Sequence, residues 1–225
     1  MDFTTATPLT RNVPLYQQAY QEIKREILTG KIKPGTKLSE NVLAEQYKVS
    51  RTPLREAIRQ LQIEGLLISD GVSTTVVELS VKDFEELCYC RLVLEKEVVK
   101  LSIKNITDED IAVMERFLEQ AESELNGDSD INYLEVLQYN TQFHDHIIKC
   151  CGNHRLVQLL EQTRLLLLLY RANALVSAPN NRDFVNEHRG ILEAIKNRDI
   201  DKAIVAIEEH LKGDLERGKR FLSVE

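Results

Sequence analysis

The stretch Leu38–Leu67, LSENVLAEQYKVSRTPLREAIRQLQIEGLL, reads as two short helices joined by a tight turn. Ser39 stands where it can cap the first helix, whose inward face is expected to be Val42, Leu43 and Tyr47. Val49 closes the turn. Ser50 stands at the cap of the second helix, and Pro53 falls in its first turn, where a missing N–H costs nothing. Leu54, Ala57, Ile58 and Leu61 recur at i, i+3, i+4 and i+7 and predict one buried stripe. Arg51, Arg55, Arg59 and Gln62 predict an exposed one. A helix that opens with Arg51, Thr52 and Arg55 toward solvent suits the major groove of DNA. Arg can donate two bonds to a guanine, while Thr and the free N–H groups can hold a phosphate. The same pattern also fits a solvated basic face on an ordinary helix pair.

The run Tyr20–Leu67, with TGKIKPGTKLSE, LAEQYKVSRTPLREAIRQL and EGLL, resembles the N-terminal winged-helix domain of GntR-family transcription regulators. The resemblance implies double-stranded operator DNA as a partner. It implies Ser39, Glu40, Ser50, Arg51, Thr52, Arg55 and Arg59 as the DNA-contacting set. Leu66–Ser69 and Thr74–Glu78 read as two short strands around Asp70-Gly71-Val72-Ser73, the wing. Relatives carry basic residues at the wing tip; here Asp70 stands there with no cation. Only a backbone approach at Gly71 is expected from the wing.

Upstream, Tyr16, Ala19, Tyr20, Ile23, Ile27 and Leu28 recur at helical spacing and predict a first helix over Leu15–Thr29 that ends at Gly30. Lys33-Pro34-Gly35 is a turn, and Thr36–Leu38 leads into the helix pair. Downstream of Leu79–Val81 everything reads as helix, over about 81–104, 107–126, 131–151, 153–177, 181–197 and 199–222. Thr107 with Asp110, and Asp128–Asp130, are the expected starts; Gly127 and Gly152 are the expected stops. The expected fold is mainly α: a flexible arm over 1–13, a winged helix-turn-helix domain over 14–78 and an all-helical bundle over 79–225.

Composition agrees. Of 225 residues none is Trp, nine are Gly and five are Pro, which favours helices over a β-sandwich. No apolar run approaches the ~20 residues of a membrane span, and Met1–Arg11 is polar and Thr-rich, unlike a signal peptide. Cys88, Cys90, Cys150 and Cys151 lack disulfide or zinc-finger spacing and read as reduced thiols, so a cytoplasmic protein with no membrane partner is expected. The net charge of −7 divides unevenly. Residues 1–69 hold ten Lys/Arg against seven Asp/Glu, and the remainder carries a net −10. The acidic body is excluded as a DNA surface, so binding is assigned to the head and should depend strongly on salt.

Three histidines stand out in the helical body. Asn140 and His144 are four apart and point the same way; His188 lies in VNEHRGILEAIKNRD and His210 in AIVAIEEHLKGDL. Imidazoles from three helices plus one oxygen ligand would suit Zn²⁺ or a similar divalent ion. On spacing alone, hydrogen-bonded or exposed histidines are the stronger reading. CRLVLEKEVVKLS, NTQFHDHIIKCCGNHRLVQLL, NEHRGILEAIKNRDIDKA and EEHL resemble the ligand-binding domain of the FadR subfamily of GntR regulators. In many such relatives an Asp and three His hold a divalent metal. The matching positions are Asn140, His144, His188 and His210, with Asn where relatives carry Asp. The resemblance implies zinc, or nickel or manganese, weakened by the neutral amide. It also places Arg91 facing the pocket, where it would bind an anionic effector; an i,i+4 pair with Glu95 is the local alternative.

Among the remaining residues, His146 is expected to face away from His144, and His154 to lie on the surface. Cys150 and Cys151 are expected in the core. Leu165–Leu169 should be buried all round, and Arg164, Arg171 and Asn173 are further pocket candidates. Glu187, beside His188, is expected to point off the site. The expected function is a homodimeric, one-component transcription regulator, a repressor, controlled by a small carboxylate at the metal. The alternatives are a metal-free acyl-CoA sensor or a direct metal sensor on the same scaffold. A metal-dependent enzyme would need a general base beside the ion, and no HExxH-type helix supplies one.

Overall fold

The computed structural model describes residues 13–78, 80–126, 131–177 and 183–222. It divides into two compact units, Met1–Glu78 and Leu79–Glu225.

The first unit runs α1 (Leu15–Leu28), β1 (Lys37–Leu38), α2 (Glu40–Gln46), α3 (Arg51–Ile63), β2 (Leu67–Ser69) and β3 (Thr74–Val76). Helix α1 lays Ala19, Ile23 and Ile27 against Leu54, Ala57, Ile58 and Leu61 of α3, all buried, so each amphipathic stripe covers the other. Gly65 ends α3. Its left-handed φ of 78° lets its own N–H reach Gln62 O and the next N–H reach Leu61 O, and the chain turns into β2. The three strands pair antiparallel in the order β1-β3-β2, with Lys37 opposite Thr75 and Leu67 opposite Val76. Within the lead-in, Lys37–Leu38 is therefore a strand that closes the wing against the head. The turn between α2 and α3 is made by Lys48, at φ 53°, rather than by Val49 alone.

Two expectations in this unit are corrected. Val42 is 61% exposed, because α2 has only seven residues and rests on α3 through Leu43; one position back along the helix points outward. Ser39 and Ser50 occupy the N-cap positions, but neither hydroxyl makes a capping hydrogen bond.

The second unit is a helical bundle: α4 (Val81–Asn105), α5 (Asp108–Asn126), α6 (Tyr133–Lys149), α7 (His154–Ser177), α8 (Asp183–Lys196) and α9 (Ile200–Leu222). Ser80 and Asp83 start α4 with a reciprocal capping box. Thr107 and Asp110 start α5 in the same way, as expected from the sequence. Gly152, at φ 71°, follows the end of α6. Met114 and Leu118 of α5, Phe143 and Ile147 of α6, Leu160 of α7, Ile191 and Ile195 of α8, and Ile207 of α9 form the core with Val98 and Val99 of α4. The Leu165–Leu169 run is not buried all round: Leu167 and Leu169 are buried, while Leu165, Leu166 and Leu168 are half-buried. A single bundle has too little apolar surface to cover every face of α7. The proposed arm, Gly127, Asp128–Asp130 and the side chains of Arg171 and Asn173 lie outside the described residues. No described helix is long and apolar enough to cross a membrane.

Candidate metal centre and nucleic-acid interface

The core stripe of α4 carries two charges among its apolar residues: Arg91 and Glu95 are both buried, in line with Phe84, Val98 and Val99. Charged groups are almost never fully buried unless paired. Here Arg91 and Glu95 pair with each other, and Asp214 of α9 and His144 of α6 add to the pair. Arg91 Nε donates to Glu95 Oε1 at 2.6 Å, and its Nη1 donates to Asp214 Oδ2 at 2.8 Å. Asp214 also accepts from Arg217 Nη2 at 2.9 Å, and Arg217 grips Glu187 through both terminal nitrogens, at 2.8 and 2.9 Å.

Against this network sit His144 of α6, His188 of α8 and His210 of α9, each at most 1% exposed. Their Nε2 atoms converge, with His144 and His188 3.0 Å apart and His188 and His210 3.3 Å apart. Phe143 stacks on the His188 ring at 4.7 Å between centroids and Phe184 meets its edge, which holds the imidazole in place. His210 Nδ1 bonds Glu187 Oε2 at 2.7 Å, and His144 Nδ1 lies 3.4 Å from Glu95 Oε2.

These contacts set protonation. Burial drives His144 down to about 3, against the pull of Glu95, so the ring is neutral. Burial would raise Glu187, but the bonds from His210 and Arg217 outweigh it and hold the carboxyl at about 2. Glu95 is likewise held well below the usual carboxylate range by Arg91 and His144, in spite of burial. The carboxylates draw N–H onto Nδ1 of His144 and His210, so their Nε2 lone pairs turn inward. His188 Nε2 faces both lone pairs and can donate a proton to only one. At least one inward lone pair is therefore left at hydrogen-bond distance from a nitrogen that offers it no proton.

A divalent cation removes that conflict. Two nitrogens about 2.1 Å from one ion lie roughly 3.0 Å apart at a right angle and about 3.4 Å apart at the tetrahedral angle, which brackets the observed 3.0 and 3.3 Å. One turn before His144, Asn140 Oδ1 is buried with no hydrogen-bond partner, an orphaned oxygen donor where an ion would use it. Arg91 Nη2 is the second orphan of this kind. The residues present fit a metal ion. The structure brings the candidate residues His144, His188 and His210 together. Sequence reasoning missed Glu187 and Arg217: Glu187 does not point off the site but holds His210. No spacing in the sequence marked them, because Glu187 and Arg217 meet only where turns of α8 and α9 face each other.

His146 faces the other side of α6, as expected, and bonds Asp110. His154 is exposed, Cys151 is buried and Arg164 is taken up by Asp145.

In the first unit Arg51, Thr52, Arg55 and Arg59 are all exposed on α3, and Gln62 is half-buried at its end. Arg55 Nε donates to Glu40 Oε2 at 2.8 Å, so the first residue of α2 orients a side chain of α3. At the wing, Asp70 is used internally. Its Oδ1 accepts from the N–H groups of Val72 and Ser73, at 2.9 and 2.7 Å, which lowers its pKa and shapes the turn around Gly71.

A three-helix head with a short wing and an exposed basic second helix belongs to the winged helix-turn-helix class of DNA-binding proteins. Residues 15–77 match the model of the bacterial regulatory proteins of the gntR family, and residues 86–213 match the FCD domain. The HTH-type transcriptional regulator YdhC of Bacillus subtilis (strain 168) is 33% identical over 216 residues, 95% of each chain. The gluconate operon transcriptional repressor of Bacillus licheniformis is 26% identical over 197 residues, 84% of this chain and 79% of that one. The solved structure of E. coli McbR/YncC superposes with a TM-score of 0.75 at 25% identity, covering 93% of this chain and 99% of the other. The chain belongs to the GntR family of bacterial regulatory proteins and carries an FCD domain as its helical body. It is a transcription regulator.

Proposed function

We propose that this chain is a one-component repressor of the FadR type, in which a small organic carboxylate, held beside a divalent cation in the helical body, controls operator binding. The observation that carries the reading is the buried donor set. Three buried imidazoles converge at their Nε2 atoms, an orphaned amide oxygen lies one helical turn before His144, and the charged network beside them holds a guanidinium with an unused N–H. Asn140, His144, His188 and His210 would hold the ion, zinc by donor type, with nickel or manganese as substitutes. Around them stand three carboxylates, Glu95, Glu187 and Asp214, and two guanidiniums, Arg91 and Arg217. The set is one charge negative by itself and one charge positive with a dication in place. An anionic ligand of one charge restores balance, and Arg91 Nη2 supplies its second contact. The ion's chemical contribution is to offer a cationic open position to that carboxylate.

The head would read DNA through Arg51, Thr52, Arg55 and Arg59. The Ser39 and Ser50 hydroxyls, free of capping, would meet phosphates, and Gly71 would bring wing backbone to the duplex. A homodimer would place two heads on a two-fold-symmetric operator in the cytoplasm. Effector binding would act by favouring one of two arrangements of the bundle. The gluconate operon repressor among its relatives supports both the sign of regulation and an acidic effector class.

The test is metal content per chain in untagged protein purified without chelator, followed by operator gel shifts across a panel of small carboxylates. Near-stoichiometric ion, lost in His188→Ala, with a carboxylate that releases the operator only from the loaded protein, is expected. Metal-free protein that still responds to a carboxylate would overturn the reading.

A further inference from the structure

The far side of α6 presents a second group of ligand atoms that the proposed effector site does not use. His146 of α6 and Cys150, the C-cap residue of that helix, are one turn apart, and Asp110 reaches them from the first turn of α5. Asp110 Oδ1 lies 2.9 Å from His146 Nε2, and one ligand atom from each of the three residues falls within 4.8 Å of the others. All three are half-buried, so the group is set into the surface with one side open.

Each member is held by something else. Thr107 donates its N–H and its hydroxyl to Asp110 Oδ2, at 2.9 and 2.7 Å, which leaves Oδ1 facing α6. Phe117 meets the His146 ring edge-on. Asn105 Nδ2 donates to Cys150 O at 3.0 Å and anchors the backbone that carries the thiol. The donors are imidazole nitrogen, thiolate sulfur and carboxylate oxygen, the combination that tetrahedral Zn²⁺ takes. A dication would be neutralised by Asp110 and the Cys150 thiolate, unlike one in the three-imidazole set, whose direct donors are neutral.

We propose that Asp110, His146 and Cys150 form a second, separate site for Zn²⁺ or a dication of similar softness, with one open position, pinning the start of α5 to the end of α6. Binding moves the His146 proton from Nε2 to Nδ1 and releases the Cys150 thiol proton to solvent. A peroxide-sensing role fits the same thiol less well. Burial, with Asp110 beside it, pushes Cys150 up to about 11, so without a cation it stays protonated and unreactive at neutral pH.

The site is tested by titrating the metal-free full-length chain with Co²⁺ and following the near-ultraviolet thiolate-to-cobalt absorption, which a site of nitrogen and oxygen donors cannot produce. The expected result is a band whose amplitude at saturation corresponds to one thiolate-bound cobalt per chain, and that persists in His188→Ala and in the Cys88→Ser/Cys90→Ser double variant and is lost in Cys150→Ser. His146→Gln, which preserves bulk, serves if Cys150→Ser fails to fold by circular dichroism; it should weaken the cobalt that gives the band by about tenfold or more. Absence of the band at excess cobalt would overturn the proposal. So would a band that survives in a folded Cys150→Ser, or one unmoved in His146→Gln. The effector site is read independently, by the cobalt that His188→Ala removes.

Discussion

Arg55 stands on the exposed face of α3 with its Nε already bonded to Glu40, in a pair whose side chains are 65% and 37% exposed. A surface pair of that kind contributes ~0–1 kcal/mol to stability, so its purpose is orientation. Arg55→Ala should cost about 1–3 kcal/mol of operator affinity and relax base preference. Glu40→Gln should leave the melting temperature unchanged and alter discrimination between operators. Gel-shift titrations with matched and mismatched duplexes check both; equal affinity of Glu40→Gln for each duplex would reduce Glu40 to an incidental partner. Glu187 acts at the same scale in the other unit. It fixes the His210 ring through a 2.7 Å bond and is itself clamped by Arg217. Glu187→Gln should weaken divalent-ion affinity by about 10–100-fold with the fold intact. Chelator competition would measure it, and an unchanged constant would exclude the relay.

At the scale of elements, α4 and α9 are packed so closely that one has no room for a side chain. A Cβ built on Gly218 of α9 would stand 2.2 Å from Phe84 Cζ of α4, and Phe84 is buried. The ring cannot retreat without opening the satellite core it shares with Leu167. Gly218→Ala should therefore destabilise by about 1–3 kcal/mol through overpacking, despite the better helix propensity of Ala. Urea unfolding checks this, and Phe84→Leu in the same chain should recover part of the loss. A neutral Gly218→Ala would mean that the two helices slide apart freely at that end. The same contact matters to the site, because α4 and α9 carry Arg91, Glu95, His210 and Asp214 between them.

At the scale of the whole molecule, the charge split should govern DNA binding, and the proposed ion should add to stability. With net +3 on residues 1–69 and net −10 beyond them, operator affinity should fall steeply and linearly in log–log against salt. Two heads joined in one dimer should give a slope about twice that of a single head. A shallow slope would count against phosphate contacts by the α3 arginines. An ion that binds only the folded bundle stabilises it by about 2.7 kcal/mol at a hundredfold excess over its dissociation constant. Calorimetry should show the melting temperature rising on zinc addition, falling on chelation, and responding far less in His188→Ala.

Periodicity alone determined the helices, because a stripe at 3.6-residue spacing leaves each segment one way to bury itself. Leu54, Ala57, Ile58 and Leu61 face inward, and the six helices of the body begin and end close to their expected residues. The SRTPLREA segment marked the head through its resemblance to known relatives, since its turn, cap position and basic stripe by themselves also fit an ordinary helix pair. His144, His188 and His210 were legible as candidates because the segments that carry them resemble known relatives. Their convergence was not, since three residues on three helices meet only when the bundle closes. Tertiary structure alone decided that Arg91 and Glu95 are buried with Asp214, that Glu187 turns toward His210, and that Val42 turns outward. It also brought Asp110 from α5 to His146 on α6. A burial pattern records which side of a helix is covered; which charged group covers which is fixed by the approach of helices distant in the chain.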